Sequence, residues 1–340
     1  MKYAAAIFGT LFWLAAVPTV PLRAEEYRLG EGLQLGDSPV YLGGYFSLNY
    51  WHNLEETSQL TFDDAALMLY GGRGHWSFMA EAELSDAYEH RWGYSEEEKT
   101  DWTVHAERLY GRYEAGECFR MTLGKFNTPY GFWNLMPINV LRDTTSSPRV
   151  VETIAPRFTT GADIRFGFGD AGAFSVLLQE NKDLDYYING DNHYNNFDID
   201  NHFGIGYLFD RGTWRFRLNG GYYSERVEDE HWIYGYAGFE YFRPGWHVLS
   251  EAGYKHNDED DSVPRSSFGA YVQATRTLWE KHDAILRLEA TTDYIENSDD
   301  RFAVFGYTYR PLFPVALKAE YQYHSREDSD RLVFSLSMLF

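Results

Sequence analysis

The sequence contains a single cysteine, Cys118, so no disulfide can form within the chain. After the N-terminal region it has no run of about eighteen apolar residues, which excludes a membrane-spanning helix there. Basic residues are fewer than acidic ones: 30 Lys and Arg and 51 Asp and Glu give a net charge of -21. This negative charge argues against nucleic acid and anionic lipid as partners. The 11 histidines are scattered without the spacing of a zinc site, so no metal or other cofactor is expected.

The N-terminus has the layout of a secretory signal peptide: a basic residue, a mostly apolar run over residues 4–20, and the small residue Ala24 beyond two prolines. We expect cleavage after Ala24, which makes residues 1–24 the signal peptide. A membrane anchor is the alternative, but the stretch is short and interrupted by proline. Export without a helical anchor leaves the periplasm, the exterior and the outer membrane as destinations.

Aromatic residues make up 18% of the chain, with 27 Tyr, 24 Phe and 10 Trp, although the mean hydropathy is only -0.47. Soluble domains seldom combine so many large rings with so polar a composition. A transmembrane barrel needs both, because its outer face meets lipid between two aromatic girdles and its inner face meets water.

Alternation of apolar and polar residues recurs in segments of about ten to fourteen residues from Val40 to Phe340, the length of a tilted membrane-spanning strand. The C-terminal segment is the clearest, because every second residue is large and apolar and the last is aromatic. Its apolar face is formed by Leu332, Phe334, Leu336, Met338 and Phe340.

Seven tight turns alternate with eight mostly longer, acidic connections, which predicts sixteen strands with both termini at the short-turn end. We therefore predict an all-β fold over residues 25–340, a transmembrane antiparallel up-and-down barrel in the outer membrane of a Gram-negative bacterium. An open sandwich is the alternative, but it does not predict that alternation. In residues 65–70 and 105–113 the alternation does not show which side chains face lipid and which face the interior. An error in assigning these segments would reduce the number of strands to fourteen.

One segment interrupts the hairpin pattern, between the predicted fifth and sixth strands at about residues 127–158. It is too rich in apolar residues for a solvated loop, and a place inside the barrel suits it, since the lumen of so wide a barrel is otherwise an open channel. We interpret it as a constriction loop after strand 5. Its charged residues are Arg142, Asp143, Arg149, Glu152 and Arg157.

The residues 123–131, LGKFNTPYG, followed by a long insertion, resemble the segment that leads into the constriction loop of outer-membrane porins, in particular the porin O/P and DcaP-like group. The resemblance implies a homotrimer, an infolded third loop and passive diffusion of small solutes. Phosphate-selective members carry ladders of basic residues, whereas this chain is strongly acidic.

If the apolar face meets lipid, the charges opposite it line the pore, and selectivity depends on their arrangement at the narrowest point. Arg165, Arg215 and Arg217 would face acidic groups across the lumen, or else the wall charges only pair with one another. The predicted pore-lining residues are Glu81, Glu83, Arg120, Asp163, Arg165, Arg215, Arg217, Glu240, Glu251, Arg287, Glu289, Lys318 and Glu320.

These features favour a porin, with small hydrophilic solutes or ions diffusing through a water-filled barrel. The alternative is a receptor or uptake barrel that binds its ligand at the long acidic and aromatic loop 183–200. No enzyme activity is expected, since no serine motif with a neighbouring histidine is present. The acidic runs 198–200 and 258–261 have carboxylates for calcium but no EF-type spacing. Expected partners are outer-membrane lipid, lipopolysaccharide, and the barrel assembly machinery through the strand ending in Phe340.

Overall fold

The computed structural model consists almost entirely of antiparallel strands that close into one barrel. None of its helices, within the part of the chain that the structure describes, has the length and apolar character needed to cross a bilayer. The structure describes residues 24–54, 57–85, 87–93, 102–189, 195–226, 230–257, 265–293, 298–325 and 330–340.

Sixteen strands form the wall, and each pairs with the next in the sequence, so the predicted strand number is confirmed. Pairing of β16 with β1, with Leu336 opposite Leu48, closes the ring. The strands are β1 Val40–Asn53, β2 Ser58–Arg73, β3 Trp76–Ser85 continuing as Tyr88–Trp92, β4 Thr103–Ala115, β5 Phe119–Asn127, β6 Phe158–Gly167, β7 Ala173–Gln179, β8 Ile199–Asp210, β9 Trp214–Glu225, β10 Glu230–Arg243, β11 Trp246–Asn257, β12 Arg265–Trp279, β13 His282–Asp293, β14 Ser298–Leu312, β15 Val315–His324 and β16 Arg331–Leu339.

The two faces of the wall differ as the alternation predicts. Large apolar side chains such as Leu288 and Phe305 are exposed on the outside, whereas their polar neighbours in the strands are buried on the inside. Exposed aromatic residues gather near the strand ends, for example Trp76 and Trp279 at the short-turn end. This is the pattern of a barrel that presents hydrocarbon-facing and interfacial bands on its outer surface.

A β-bulge in each of β2 and β4 explains why the alternation was unreadable there. In β2, Thr61 and Ala66 are both buried inside although their sequence numbers differ by five, which in a regular strand would place them on opposite faces. Asp64 between them has a φ of 53°. In β4, the register with β3 shifts next to Glu107, so that Glu107 and Arg108 both face the interior. An extra residue in one strand reverses the phase of every residue after it.

The two ends of the described part of the chain meet at the short-turn end of β1. A hairpin of Ala24–Arg28 and Gly32–Leu35 pairs with the start of β1, where Leu33 lies opposite Leu42. Immediately above it, Phe340 and Gly44 exchange two backbone hydrogen bonds of 2.7 and 2.8 Å. The hairpin therefore covers the edge of β1 that extends beyond the end of β16.

Candidate pore and constriction segment

Residues 128–157, which we call the inner segment, lie within the ring of strands and contact its inner wall on several sides. On β9, Arg217 donates to the carbonyl oxygen of Pro129 at 2.9 Å. On β16, the Ser335 hydroxyl accepts a hydrogen bond of 3.1 Å from the Asn139 amide. The inner segment contains two 3-10 turns, Trp133–Leu135 and Asn139–Leu141, and a short helix, α1 Arg149–Thr153.

Glu251 of β11 holds the first turn of the inner segment. Its Oε1 accepts hydrogen bonds from the backbone N–H groups of Phe132 and Trp133, the latter at 3.0 Å. Its Oε2 accepts a hydrogen bond of 2.8 Å from the Tyr236 hydroxyl. Backbone N–H groups at the start of a turn have no partner within it, so a wall carboxylate satisfies them as an N-cap side chain would.

Two further wall carboxylates bind backbone N–H groups of the inner segment. Glu289 accepts a hydrogen bond of 2.9 Å from the N–H of Arg149, the first residue of α1. Glu320 accepts from the N–H of Thr145 and, at 2.5 Å, from the Ser146 hydroxyl. The inner segment is thus fixed at three separate turns by glutamates from three different strands.

Wall cations bind the oxygen atoms of the same segment. Arg287 donates to the Thr144 hydroxyl at 2.7 Å and to the Ser146 carbonyl oxygen at 2.8 Å. Lys318 donates to the carbonyl and side-chain oxygens of Asn139 at 2.5 and 2.8 Å. Both cations are buried, so their hydrogen bonds to the inner segment offset the cost of removing them from water.

Apolar packing fills the space between the inner segment and strands β8 to β12. Trp133, Val150 and Ile154 are buried in one cluster with Tyr236 and Tyr271 of the wall. Aromatic residues dominate such packing because each ring removes a large apolar area from water. This core inside the barrel accounts for the apolar content that set residues 127–158 apart in the sequence.

The predicted charges of the inner segment take different roles. Arg142 is buried and donates to the Met136 carbonyl oxygen at 2.6 Å, while Asp143 accepts a hydrogen bond of 2.7 Å from Thr275. Burial raises the pKa of Asp143, but hydrogen bonds from wall side chains outweigh it and leave the pKa below its ordinary value. Arg149 and Glu152 line an open cavity. The N–H of Arg157 donates to two asparagine side chains, Asn195 and Asn196.

A cavity of 230 Å³ lies between the inner segment and the wall of β4 to β9, toward the short-turn end. Arg112, Arg165 and Arg217 line it, and none of them has an ion pair within the described residues. Arg120 also lines it, paired with Glu114 at 2.5 Å. Its lining carboxylate is the buried Asp163. We call this space the arginine cavity.

A second cavity, of 370 Å³, lies on the long-loop side of the inner segment. Arg149 and Glu152 of the inner segment face Trp51, Phe302 and Arg331 of the wall across it. The inner segment therefore separates two polar spaces within the barrel.

All thirteen predicted pore residues face the barrel interior, but only some adjoin open space. Glu251, Arg287, Glu289, Lys318 and Glu320 bind the inner segment. Arg120, Asp163, Arg165 and Arg217 line the arginine cavity. Arg215 pairs with Glu240, and Glu81 and Glu83 lie in a buried cluster. The sequence missed Arg108 and Arg112 as interior residues, because the bulge in β4 conceals their phase.

The loop after β7, which the receptor alternative uses as its ligand-binding surface, is partly folded against the wall. Asp183 and Asp185, at the start of helix α2 Leu184–Asn189, bind Lys125 Nζ at 2.7 and 3.1 Å, with all three side chains buried. Tyr187 remains exposed. These aspartates therefore hold the loop and are not available at the surface for a ligand.

The sequence offers two acidic runs, 198–200 and 258–261, as possible calcium ligands. In the first run, the carboxylate of Asp198 already forms an ion pair with Arg226. The run 258–261 lies outside the described residues.

No protein-family model matches the chain, and no curated protein matches it. Solved structures do match. The anion-selective porin from Comamonas acidovorans has a TM-score of 0.65 at 11% identity, over 89% of this chain and 100% of that one. The outer-membrane channel DcaP of Acinetobacter baumannii gives 0.59 at 12%, over 88% and 97%. The trimer form of OmpT from Vibrio cholerae gives 0.58 at 10%, over 88% and 99%. The chain thus has the fold of Gram-negative outer-membrane porins.

Proposed function

We propose that this chain is an outer-membrane porin through which small hydrophilic solutes or ions diffuse passively. The observation that carries the proposal is the closed sixteen-strand wall, with exposed apolar side chains outside and charged side chains inside. Such a wall has no unpaired strand edge. Each strand pairs its backbone N–H and C=O groups with those of its neighbours, as a structure in hydrocarbon must. A channel needs no catalytic group, and the porin and channel names of the similar structures agree with a function other than catalysis.

We propose further that the inner segment is the constriction loop of the channel, which the sequence predicts at about residues 127–158. Its hydrogen bonds to Glu251, Glu289 and Glu320 and its apolar core support a fixed position within the lumen. A rigid constriction lets a few side chains decide which solute passes.

The arginine cavity supports a local preference for anions. Arg120 and Arg165 lie directly opposite each other on β5 and β6, and like charges in such a pair repel. Arg112, Arg165 and Arg217 lack ion pairs in the described structure, so a mobile anion would supply the missing partner. The chain's net charge of -21 does not oppose this, because the field within a narrow space depends on the nearest groups.

The same proposal implies which partners the barrel meets in the outer membrane. Its outer face would contact lipid and, at the long-loop end, lipopolysaccharide. The barrel assembly machinery would recognise the strand that ends in Phe340. A homotrimer is supported by the trimer form of the Vibrio cholerae protein with the same fold.

Single-channel recording in planar bilayers with a salt gradient tests the proposal. We expect discrete conductance steps and a reversal potential displaced toward that of the anion. Absence of steps from protein that shows the folded, heat-modifiable band on a gel would overturn the porin function. Steps with a cation-directed reversal potential would overturn only the anion preference.

A further inference from the structure

A compact group of three glutamates lies on the inner wall, apart from the inner segment's wall anchors. Glu81 and Glu83 belong to β3, and Glu107 belongs to β4. One carboxylate oxygen from each lies within 4.8 Å of the others, and all three side chains are buried. Within the described residues, this is the one group of three or more His, Cys, Asp or Glu side chains with such close ligand atoms.

The bulge in β4 creates this arrangement. Without the extra residue, Glu107 would alternate with Arg108, and one of the two would face outward. The register shift turns both of them inward, so that Glu107 comes next to the glutamates of β3 while Arg108 still pairs with Glu81. Bulges often re-aim a side chain in this way next to functional sites.

Hydrogen bonding does not account for all the oxygens of the group. The Tyr45 hydroxyl lies 2.6 Å from Glu107 Oε2 and 3.0 Å from Glu83 Oε2, so its single hydrogen is shared between two carboxylates. Arg108 donates to Glu81 Oε2. The other oxygen, Glu81 Oε1, is buried and has no hydrogen-bond partner in the described structure. A buried carboxylate oxygen without a donor is costly, since it has lost its water.

We propose that Glu81, Glu83 and Glu107 bind a hard divalent cation of the calcium type. Several carboxylate oxygens, with a hydroxyl beside them, are the ligands that calcium prefers, and its irregular coordination suits three side chains from two adjacent strands. The group contains no histidine or cysteine, which distinguishes it from a zinc site. The cation would fill the gap at Glu81 Oε1 and reduce the repulsion among the three carboxylates.

The site goes beyond the proposed channel function, but its position gives it a consequence there. Arg108 pairs with Glu81 and also lines the arginine cavity. A bound divalent cation would therefore add positive charge beside the arginines and strengthen the preference for anions.

Calcium titration of the folded protein in detergent micelles, after removal of metal by EDTA and dialysis, tests the site by calorimetry. We expect one saturable site per chain. Binding should weaken at least about tenfold in Glu107→Gln and in Glu83→Gln, since each loses a direct ligand. Asp170→Asn is the matched control: it removes one negative charge from an exposed turn and should bind calcium as the unmodified protein does.

Each variant is first checked for the heat-modifiable band of a folded barrel, and if one glutamine variant does not fold, the other decides. Absence of saturable binding in the unmodified protein, or equal binding in the folded glutamine variant, would overturn the proposal. As a second readout, calcium should shift the reversal potential in the unmodified channel and not in Glu107→Gln. Because the titration needs no conductance, its outcome is separate from that of the channel test.

Discussion

The carboxylate of Glu251 accepts a hydrogen bond of 3.0 Å from the backbone N–H of Trp133, across a sequence distance of 118 residues. The contact joins the wall to the first turn of the inner segment. The Trp133 ring on that turn is itself buried, with Tyr271 of the wall in edge-to-face contact at 6.3 Å. Polar capping and aromatic packing thus act on the same turn, and both fix its position in the lumen.

Replacing Glu251 by Ala should loosen the inner segment. The N–H groups of Phe132 and Trp133 would lose their acceptor, at a cost of about 1 to 3 kcal/mol for each buried donor left unsatisfied. We expect a lower free energy of unfolding in urea and larger, noisier single-channel conductance. Glu251→Gln keeps one oxygen acceptor and should show a smaller change. Unaltered conductance and stability in the alanine variant would contradict this role.

Replacing Trp133 by Ala tests the apolar core within the barrel. Truncation of a fully buried aromatic ring costs about 3 to 5 kcal/mol. Because the strands retain their own hydrogen bonds, we expect the barrel to persist while the inner segment moves, which should raise conductance and expose the segment to protease. Leu135→Ala is the matched control, since Leu135 is 39% exposed on the same turn. Equal effects of the two truncations would argue against a packed core there.

Neutralising Arg165 and Arg217 together, as glutamines, should reduce the preference for anions. Both line the arginine cavity, and neither forms an ion pair within the described residues, so the single lining carboxylate, Asp163, leaves a net positive charge there. We expect the reversal potential in a salt gradient to move toward the cation value. Arg276→Gln removes one positive charge from the outer face and should leave the reversal potential unchanged. A result in which the double variant behaves as the outer control would discard the arginine cavity as the selective region.

The sequence predicts the sixteen strands and the outward face because lipid imposes a period of two on every strand. It fails locally where β2 and β4 carry bulges, since one added residue reverses the phase without any compositional sign. Arg108 and Arg112 were missed for that reason. Residues 105–113 follow two opposite phases of alternation, which join at Glu107.

The sequence predicts which side chains face the interior, but it does not predict which group each interior charge contacts. The alternation places Glu320 and Arg165 on the inner face in the same way, yet Glu320 binds the inner segment and Arg165 lines open space. The difference depends on the path of the inner segment, which long-range contacts decide. Asn139 and Ser335, for example, are 196 residues apart when they meet. Periodicity contains no information about such contacts.

Acid should release the loop that carries α2, because Asp185 must stay ionised to hold it. Burial raises the pKa of Asp185, but hydrogen bonding from His105 and the charge of Lys125 outweigh it and leave the pKa below its ordinary value of 3.8. A lowered pKa means that the ionised carboxylate stabilises the fold above the pKa of the unfolded chain. That contribution declines as the pH falls through the lower pKa of the folded protein.

We therefore expect Asp185→Asn to lower the free energy of unfolding by about 1 to 3 kcal/mol near neutral pH, since Lys125 and the N–H of Ala106 lose a charged acceptor. The difference from the unmodified protein should shrink as the pH falls below the ordinary pKa of 3.8, because protonation then removes the same charge from both. Urea unfolding at a series of pH values measures it. Asp170→Asn, at an exposed turn, should give a small difference at every pH. A difference for Asp185→Asn that stays constant into acid would show that its charge does not hold the loop.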